Sequence, residues 1–241
     1  MQVVILAGGF GTRISEETDH IPKPMILIGN EPILMHIMKY YASFGHKDFV
    51  VALGYKAEII QEFFATRIPA LEKLGWTVNL VDTGLHTFTG GRIAKLFPHL
   101  EQEFLMTYGD GLSNVNLDAL LAHHRAHGKL ATVTAVRPPA RFGSMEIENG
   151  LVQRFSEKSP QEAGWINGGF FCLNKIVCSY VQDELTAFEG KPIDRLVQES
   201  QLAAFDHHGW WQPMDTLRDK RTLEALWNDG NAPWKLGRVN I

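Results

Sequence analysis

The first half of the chain alternates between short apolar runs and longer amphipathic stretches. The apolar runs predict strands over residues 2–6, 25–28, 48–53, 76–81 and 104–108. Apolar positions at helical spacing predict a helix that opens at Pro32 and stops at Gly45, and shorter helices over 56–65 and 92–97. Strands that alternate with helices indicate an α/β fold, with a mostly parallel sheet and helices on both faces.

The second half has a different pattern. A helix over 117–126 and a strand over 130–136 continue the alternation, and Asn149-Gly150 is then a two-residue hairpin signal between short apolar segments. We predict further strands over 144–147, 151–155 and 165–173, and a last helix over 217–227 with Leu217, Leu223, Leu226 and Trp227 facing inward. The short segments indicate an antiparallel addition that covers one side of the sheet and has room for a second ligand.

Composition narrows the class of protein. The 241 residues are enough to bury a substantial core, and 45% hydrophobic with 21% charged residues is ordinary for a globular chain. A net charge of −4 gives no overall attraction to nucleic acid or to an anionic membrane. Cys172 and Cys178 are too few for a disulfide framework, and no apolar run has the length of a signal peptide or a membrane span. We therefore expect a soluble, cytoplasmic protein with no nucleic-acid or membrane partner.

The stretch that follows the first strand carries the clearest chemical signal. Gly8, Gly9 and Gly11 let a ligand approach the backbone, and consecutive amide groups in such a loop form a nest for phosphate oxygens. Arg13 and Lys23 add two cations. The spacing matches neither the dinucleotide fingerprint nor the Walker loop. The alternative is a tight connection with no ligand, which the two cations disfavour.

Leu6-Ala7-Gly8-Gly9-Phe10-Gly11-Thr12-Arg13, together with Pro22-Lys23-Pro24, resembles the signature of the sugar-1-phosphate nucleotidylyltransferases. The resemblance extends over almost the whole chain and implies their Rossmann-like sheet, with residues 1–136 mainly binding nucleotide and 137–241 mainly binding sugar phosphate in a single 1–241 domain. It implies that the loop wraps a nucleoside triphosphate, with contacts from Leu6, Ala7, Gly8, Gly9, Gly11, Thr12, Arg13, Lys23 and Gly109. It also implies a homo-oligomer.

Two further stretches are candidates for the nucleotide site. Residues 82–84 and 89–92 follow a strand and open a helix, so an ordinary loop with a helix cap is one interpretation. The resemblance implies instead that Gly84, Thr89 and Gly90 bind the base, and that Arg92 contacts phosphate or supports the loop. This pattern is similar to that of family members that use CTP, with glucose 1-phosphate as the expected acceptor.

Two aspartates are candidate metal ligands. Asp110 lies between two glycines at a predicted strand end, where a carboxylate suits a hard cation or else caps a turn. Asp215 precedes a predicted helix, where a role near the helix cap is the alternative. The resemblance implies that Asp110 and Asp215 converge on one Mg²⁺. Trp210 and Trp211 are expected to pack behind the Asp215 loop.

The acceptor side is implied by three short matches to the family. A backbone amide at Gly143, the pair Glu157-Lys158, and Asn167-Gly168 resemble its sugar-phosphate contacts. A Glu-Lys pair is otherwise a solvated surface pair, and Ser159 stands where the family has proline. His123, His124 and His127 share a predicted helix, and we interpret them as a solvated face rather than a metal site.

The expected chemistry follows from charge. A sugar 1-phosphate has a second pKa of about 6, so it is a competent nucleophile at neutral pH and needs no general base. Its approach to a triphosphate requires neutralisation, which the resemblance assigns to Mg²⁺ and to Arg13, Lys23, Asp110 and Lys158 as catalytic residues. The alternatives are a family member that uses dTTP, UTP or another acceptor, and a nucleotide-sugar-binding module without turnover.

Overall fold

The computed structural model describes residues 1–138, 144–156 and 164–235. Its strands are β1 Gln2–Leu6, β2 Leu27–Ile28, β3 Glu31–Pro32, β4 Asp48–Leu53, β5 Thr77–Asp82, β6 Glu103–Tyr108, β7 Gly111–Ser113, β8 Ala131–Val136, β9 Ser144–Glu148, β10 Leu151–Ser156, β11 Ile166–Asn174, β12 Leu202–His207 and β13 Trp211–Pro213. Its helices are α1 Ser15–Thr18, α2 Ile33–Ser43, α3 Ala57–Ala65, α4 Ile68–Lys73, α5 Thr89–Lys95, α6 Leu117–His127, α7 Lys191–Gln198 and α8 Leu217–Asn228. None of these described helices combines the length and apolar character needed to cross a membrane.

Seven strands form the central sheet, in the order β12-β8-β11-β6-β1-β4-β5. β1 pairs in parallel with β4 and β6, and β4 pairs in parallel with β5. β12 is likewise parallel to β8, whereas β11 runs antiparallel to both of its neighbours, β6 and β8. The predicted α/β fold with a mostly parallel sheet is confirmed.

The central strands are buried on both faces, which explains their continuous apolar runs. Every residue of β1 is buried, and successive side chains enter two different cores. Val3 and Ile5 face the layer that contains α2 and α6, whereas Val4 and Leu6 face the layer that contains α5 and α7. The sheet is therefore covered on both sides, with the carboxyl ends of its parallel strands left to form a site.

Local signals fix several helix ends. Pro32 precedes α2, and Gly45 follows it with a φ of +86°. Asn116 caps α6 by accepting a hydrogen bond from the Ala119 amide at 3.0 Å. Thr216 and Asp219 form a reciprocal capping box at the start of α8.

The structure corrects several predicted elements. Of the strand predicted over 25–28, Leu27 and Ile28 form β2 and Met25 ends a short 3-10 turn, and the helix predicted over 92–97 begins three residues earlier, at Thr89. The segment 165–173 belongs to the middle of the central sheet as β11, because its buried apolar residues pair with β6 and β8. Seven of the described elements have no predicted counterpart: α1, α4, α7, β3, β7, β12 and β13.

The predicted hairpin is confirmed in β9 and β10, where Asn149 and Gly150 both adopt the positive φ of a type I′ turn. Its apolar side chains stay exposed, including Met145 at 56% and Phe155 at 62%. The hairpin therefore does not bury an apolar face against the described part of the sheet, which differs from the covering role expected for it.

The prediction of a solvated histidine face is wrong for His124. This side chain points inward from α6, is only 4% exposed, and bonds Thr132 of β8. The sequence does not reveal this inward position, because His124 is polar and lies among the polar residues His123, Arg125 and His127 of the same helix.

Candidate active site

A cavity of about 980 Å³ opens at the carboxyl ends of β1 and β6. Its volume is that of a site for a nucleotide-sized ligand. The lining comes from residues 6–13, Lys23, 85–89, 107–111, 166–169, Glu189, Trp211 and Asp215, among others. The glycine loop, both candidate aspartates and the predicted Asn167-Gly168 strand thus meet in one cavity.

Lys23 lies at the centre of the charged groups in this cavity. Its Nζ donates to Asp110 Oδ2 at 2.6 Å and to Asp215 Oδ1 at 2.7 Å. Arg13 donates from NH1 to the other Asp215 oxygen, Oδ2, at 2.6 Å. We call Arg13, Lys23, Asp110 and Asp215 the Lys23 cluster. It brings together two carboxylates from opposite halves of the chain around one ammonium group.

The Lys23 ammonium stays charged despite its position. Burial by itself would lower the pKa of Lys23, but the charges and hydrogen bonds of Asp110 and Asp215 outweigh burial and raise it above its ordinary value. The side chain of Lys23 is 9% exposed, whereas those of Asp110 and Asp215 are 31% and 20% exposed. The cluster therefore holds a fixed positive charge whose acidic partners remain open to the cavity.

Backbone geometry leaves Asp215 available for this role. Thr216, not Asp215, is the cap of α8, and its side chain and backbone are both bonded to Asp219. The Asp215 backbone amide also donates to Asp219, at 3.1 Å. The Asp215 carboxylate thus points away from the helix toward Lys23 and Arg13, so the helix-cap alternative does not describe its side chain.

The glycine loop presents backbone donors to the cavity. Gly11 adopts a φ of +66° and its carbonyl accepts from the Thr18 hydroxyl at 3.2 Å. Within the part of the chain that the structure describes, the backbone N–H groups of Gly9 and Gly11 have no protein acceptor. These two amides, with the exposed Arg13 beside them, belong to the loop for which the sequence predicts an anion-binding nest.

Arg92 lies behind the loop and holds it in place. Its NH2 donates to Gly8 O at 2.8 Å, and its NH1 donates to Leu53 O at 2.8 Å, Thr83 Oγ1 at 2.6 Å and Gly84 O at 2.9 Å. Burial lowers the pKa of this guanidinium, which is only 4% exposed. A Cβ atom at Gly8 would lie 2.3 Å from it, so glycine is required there. Of the two roles expected for Arg92, its contacts are those of loop support.

The candidate base residues fall in two places. Thr89 lines the cavity, and its hydroxyl donates to Glu189 Oε2 at 2.5 Å. Gly84 and Gly90 lie behind the lining: Gly84 accepts from Arg92, and Gly90 packs against the backbone at Thr186. The adjoining residues 85–88 supply this wall of the cavity instead.

The lining continues from Thr89 through Glu189 to the predicted Asn167-Gly168, and it includes three residues that the sequence-based prediction missed or placed elsewhere. Tyr108 donates to Glu189 Oε1 and accepts from Asn167 Nδ2 at 3.2 Å. Trp211 donates from Nε1 to Gly168 O at 2.7 Å and lines the cavity, rather than packing behind the Asp215 loop. The sequence offers a reason to expect Tyr108 in the site, because it directly precedes Gly109-Asp110, whereas no motif marks Glu189.

The remaining candidates lie outside the described residues. They are Gly143, Glu157 and Lys158, which were expected on the acceptor side. Leu6, Ala7, Thr12 and Gly109 all line the cavity, as expected for a loop that follows β1 and a turn that follows β6.

Comparisons with known proteins agree with this geometry. The nucleotidyl transferase family model matches residues 2–229. The glucose-1-phosphate cytidylyltransferase of Salmonella typhi is 46% identical over 254 aligned positions, which cover 98% of this chain and 99% of that protein. The probable glucose-1-phosphate cytidylyltransferase of Bacillus subtilis is 40% identical, with 98% and 100% covered. The crystal structure of HddC from Yersinia pseudotuberculosis is 25% identical, with a TM-score of 0.74 and 94% and 99% covered. The family expected from the sequence is confirmed, and the chain belongs to the nucleotidyl transferase family.

Proposed function

We propose that this protein transfers the cytidylyl group of CTP to a sugar 1-phosphate, with α-D-glucose 1-phosphate as acceptor, and releases CDP-sugar and pyrophosphate. The choice of CTP and glucose 1-phosphate is supported by relatives of that name at 46% and 40% identity over nearly the full chain. The structural observation that supports this reaction is the Lys23 cluster, in which two carboxylates and two cations lie together in the cavity beside the glycine loop.

The nucleotide end of the reaction is assigned to groups of the first half of the chain. Gly9, Gly11 and Arg13 line the cavity, and the amides of the two glycines, which have no acceptor among the described residues, are the proposed contacts of the triphosphate. Lys23 carries a fixed charge beside them. Cations at this point offset the repulsion between the triphosphate and an incoming dianionic phosphate, which is the main barrier to in-line attack.

Asp110 and Asp215 have the ligand chemistry that Mg²⁺ prefers, because they offer hard oxygen atoms that already converge on one cation. Mg²⁺ held by these two carboxylates would supply charge neutralisation at the nucleotide phosphates. Lys23 would then exchange part of its contact with the aspartates for contact with phosphate oxygens. Arg13, which is 75% exposed, is free of packing constraints and can follow the substrate.

The sugar end is assigned to the wall of Tyr108, Asn167 and Glu189, with Lys158 on the acceptor phosphate as the family match implies. Hydroxyl, amide and carboxylate groups in one hydrogen-bonded set suit the hydroxyls of a hexose. The attacking phosphate oxygen needs no general base, since the second pKa of a sugar phosphate is about 6. Catalysis is then positioning and charge neutralisation by this chain's own groups.

The test is pyrophosphate release from glucose 1-phosphate in the presence of Mg²⁺, with each of the four ribonucleoside triphosphates and dTTP run in parallel. Release with CTP alone is expected. Release with a different triphosphate would overturn the assignment of the base but keep the reaction. Silence with all five would reject glucose 1-phosphate as acceptor, and tight CTP binding without release on any phosphorylated acceptor would favour a binding module without turnover.

A further inference from the structure

A second cluster of metal-binding groups lies at the other end of the strand that leads to Asp110. Glu103 begins β6, His124 lies in α6, and Cys172 lies in β11. One ligand atom from each residue lies within 4.8 Å of the other two. His124 and Cys172 are buried, whereas the side chain of Glu103 is 28% exposed. The cluster is therefore an enclosed set of carboxylate, imidazole and thiol groups that solvent reaches from one side.

The register of the sheet explains why these groups meet. Cys172 is paired with Leu105 of β6 on one side and with Thr132 of β8 on the other, so these three side chains project from the same face of the sheet. Glu103 lies two residues before Leu105 and shares that face. Helix α6 packs on it and directs His124 toward the gap between the strands.

In both His124 and Glu103, the nitrogen or oxygen atom that does not face the cluster is hydrogen-bonded to another side chain. The Nδ1 atom of His124 bonds Thr132 Oγ1 at 2.8 Å, which leaves Nε2 turned toward Glu103 Oε1 at 3.6 Å. The second Glu103 oxygen, Oε2, accepts two hydrogen bonds from Arg125, at 2.9 and 3.2 Å. Metal sites in proteins are oriented by this kind of outer contact, which fixes the ring and the carboxylate while the inner atoms face the ion.

We propose that Glu103 Oε1, His124 Nε2 and Cys172 Sγ form a binding site for a thiophilic divalent cation of the Zn²⁺ class. Sulfur and imidazole nitrogen favour Zn²⁺ and Co²⁺ over Mg²⁺, which prefers oxygen alone. Binding replaces the thiol proton of Cys172 with a metal–sulfur bond, and that proton passes to solvent on the Glu103 side. The ion ties α6 to β6 and β11.

This site is distinct from the proposed catalytic cation site. It lies at the amino end of β6, roughly 17 Å along the strand from Tyr108, whereas Asp110 of the Lys23 cluster follows the carboxyl end of that strand. Asp110 and Asp215 contain no sulfur, so a metal–thiolate signal reports only on the second site. Cys178 is the other cysteine of the chain, and it lies in the core on the opposite face of the sheet.

The experiment is a Co²⁺ titration of the full chain, stripped with a chelator and kept in a thiol-free reductant. We expect a near-ultraviolet thiolate-to-cobalt absorption band that saturates at one equivalent, is bleached by Zn²⁺ and is insensitive to excess Mg²⁺. The band should be lost in Cys172→Ser and kept in the matched control Cys178→Ser. Absence of the band in the wild-type chain, or its persistence in Cys172→Ser, overturns the proposal.

Two further variants keep the test decisive if Cys172→Ser does not fold. Glu103→Gln removes a ligand but keeps its shape, and Thr132→Val removes the hydroxyl that bonds both His124 and His127. Each should weaken Co²⁺ binding by about 10- to 100-fold. Zn²⁺ should raise the thermal unfolding midpoint of the wild-type chain more than that of either variant, since it binds only the native state. Unchanged Co²⁺ affinity in both variants overturns the proposal.

Discussion

Two regions of the cavity wall each contain a buried cation, but with different partners. Lys23 bonds two carboxylates, and Arg13 shares one of them. Arg92 bonds three backbone carbonyls and a threonine hydroxyl within 2.9 Å. We call this second region the Arg92 bracket, made of Arg92 with Gly8, Leu53, Thr83 and Gly84. In the sequence, Lys23 lies between Pro22 and Pro24 and Arg92 follows Gly90-Gly91, and for Arg92 both phosphate contact and loop support are open.

The partners decide what each cation does. Hydrogen bonds between a charged donor and neutral acceptors contribute about 1.5–3 kcal/mol each. The carbonyls of Gly8 and Leu53 also accept from the backbone amides of Tyr55 and Thr83, so Arg92 is tied to backbone that is already hydrogen-bonded. The Arg92 bracket therefore supports the fold by joining Gly8, Leu53 and Gly84. The carboxylates of the Lys23 cluster are partly exposed and can exchange Lys23 for a metal ion, while Lys23 can exchange them for phosphate oxygens, at little cost to the fold.

The strongest test of this difference is Lys23→Ala. We expect pyrophosphate release to fall by at least about 100-fold, because the fixed charge beside the reacting phosphates is lost. Unfolding free energy should change by no more than about 1 kcal/mol, because Asp110 and Asp215 remain solvated. Steady-state kinetics and urea unfolding measure the two effects.

Lys39→Ala is the matched control for Lys23→Ala. Lys39 also bonds a carboxylate, Glu31, at 2.7 and 2.8 Å, but it lies outside the cavity. Both its activity and its stability should stay close to wild type. A Lys23→Ala protein with near-normal turnover would remove Lys23 from the chemistry, and one that unfolds would make the cluster a framework like the bracket.

The second prediction addresses the Arg92 bracket. Arg92→Lys keeps the charge, but a single ammonium group cannot reach Gly8, Leu53 and Gly84 together. We expect a loss of about 3 kcal/mol in unfolding free energy, because the variant loses some of the hydrogen bonds from a charged donor, at about 1.5–3 kcal/mol each. Activity per folded molecule should fall less than in Lys23→Ala. Urea unfolding that matches the wild-type curve would contradict the framework role.

The sequence allowed the general fold and the main members of the Lys23 cluster to be predicted, for physical reasons. Buried parallel strands such as β1 and β4 are continuous apolar runs, and glycine loops with cations have few other uses. The two roles of Arg92 could not be separated, because its neighbours Leu53 and Gly8 are distant in the chain. Glu189 and Trp211 were missed or placed elsewhere because only tertiary contacts bring them to the cavity.

A third variant tests whether the wall of Tyr108 and Glu189 binds substrate, as proposed for the Lys23 cluster, or supports the fold, as the Arg92 bracket does. Tyr108→Phe removes the hydroxyl that donates to Glu189 and accepts from Asn167. If this wall binds the sugar, KM for glucose 1-phosphate should rise by about tenfold, the equivalent of one lost hydrogen bond, while KM for CTP changes little. Tyr180→Phe is the matched control, since Tyr180 donates to Glu199 outside the cavity. Equal effects of the two variants on KM for glucose 1-phosphate would mean that the Tyr108 contact supports the fold and does not bind the sugar.

The smallest expected effect concerns His36, a buried side chain that is hydrogen-bonded to Ile28 of β2 and to Trp234. Its Nδ1 accepts from Trp234 Nε1 at 3.3 Å, so its Nε2 donates to Ile28 O at 2.9 Å. Burial lowers the pKa of His36 below the value of 6.5 that it has in the unfolded chain. Below that pH the unfolded state therefore binds a proton that the folded state does not, and stability falls as the pH falls.

Between pH 7.5 and pH 5.5 we expect His36 to lower the free energy of unfolding as the pH falls, because over this range the unfolded chain takes up the proton more readily than the folded chain. Urea unfolding of His36→Gln should therefore show a shallower decline over this range than the wild-type chain, whereas His20→Gln, at an exposed position, should follow the wild type. Pyrophosphate release at pH 7.5 should be unchanged in both variants. A pH dependence that is the same with and without His36 would mean that the other buried histidines carry the effect, and that the contact with Trp234 contributes packing alone.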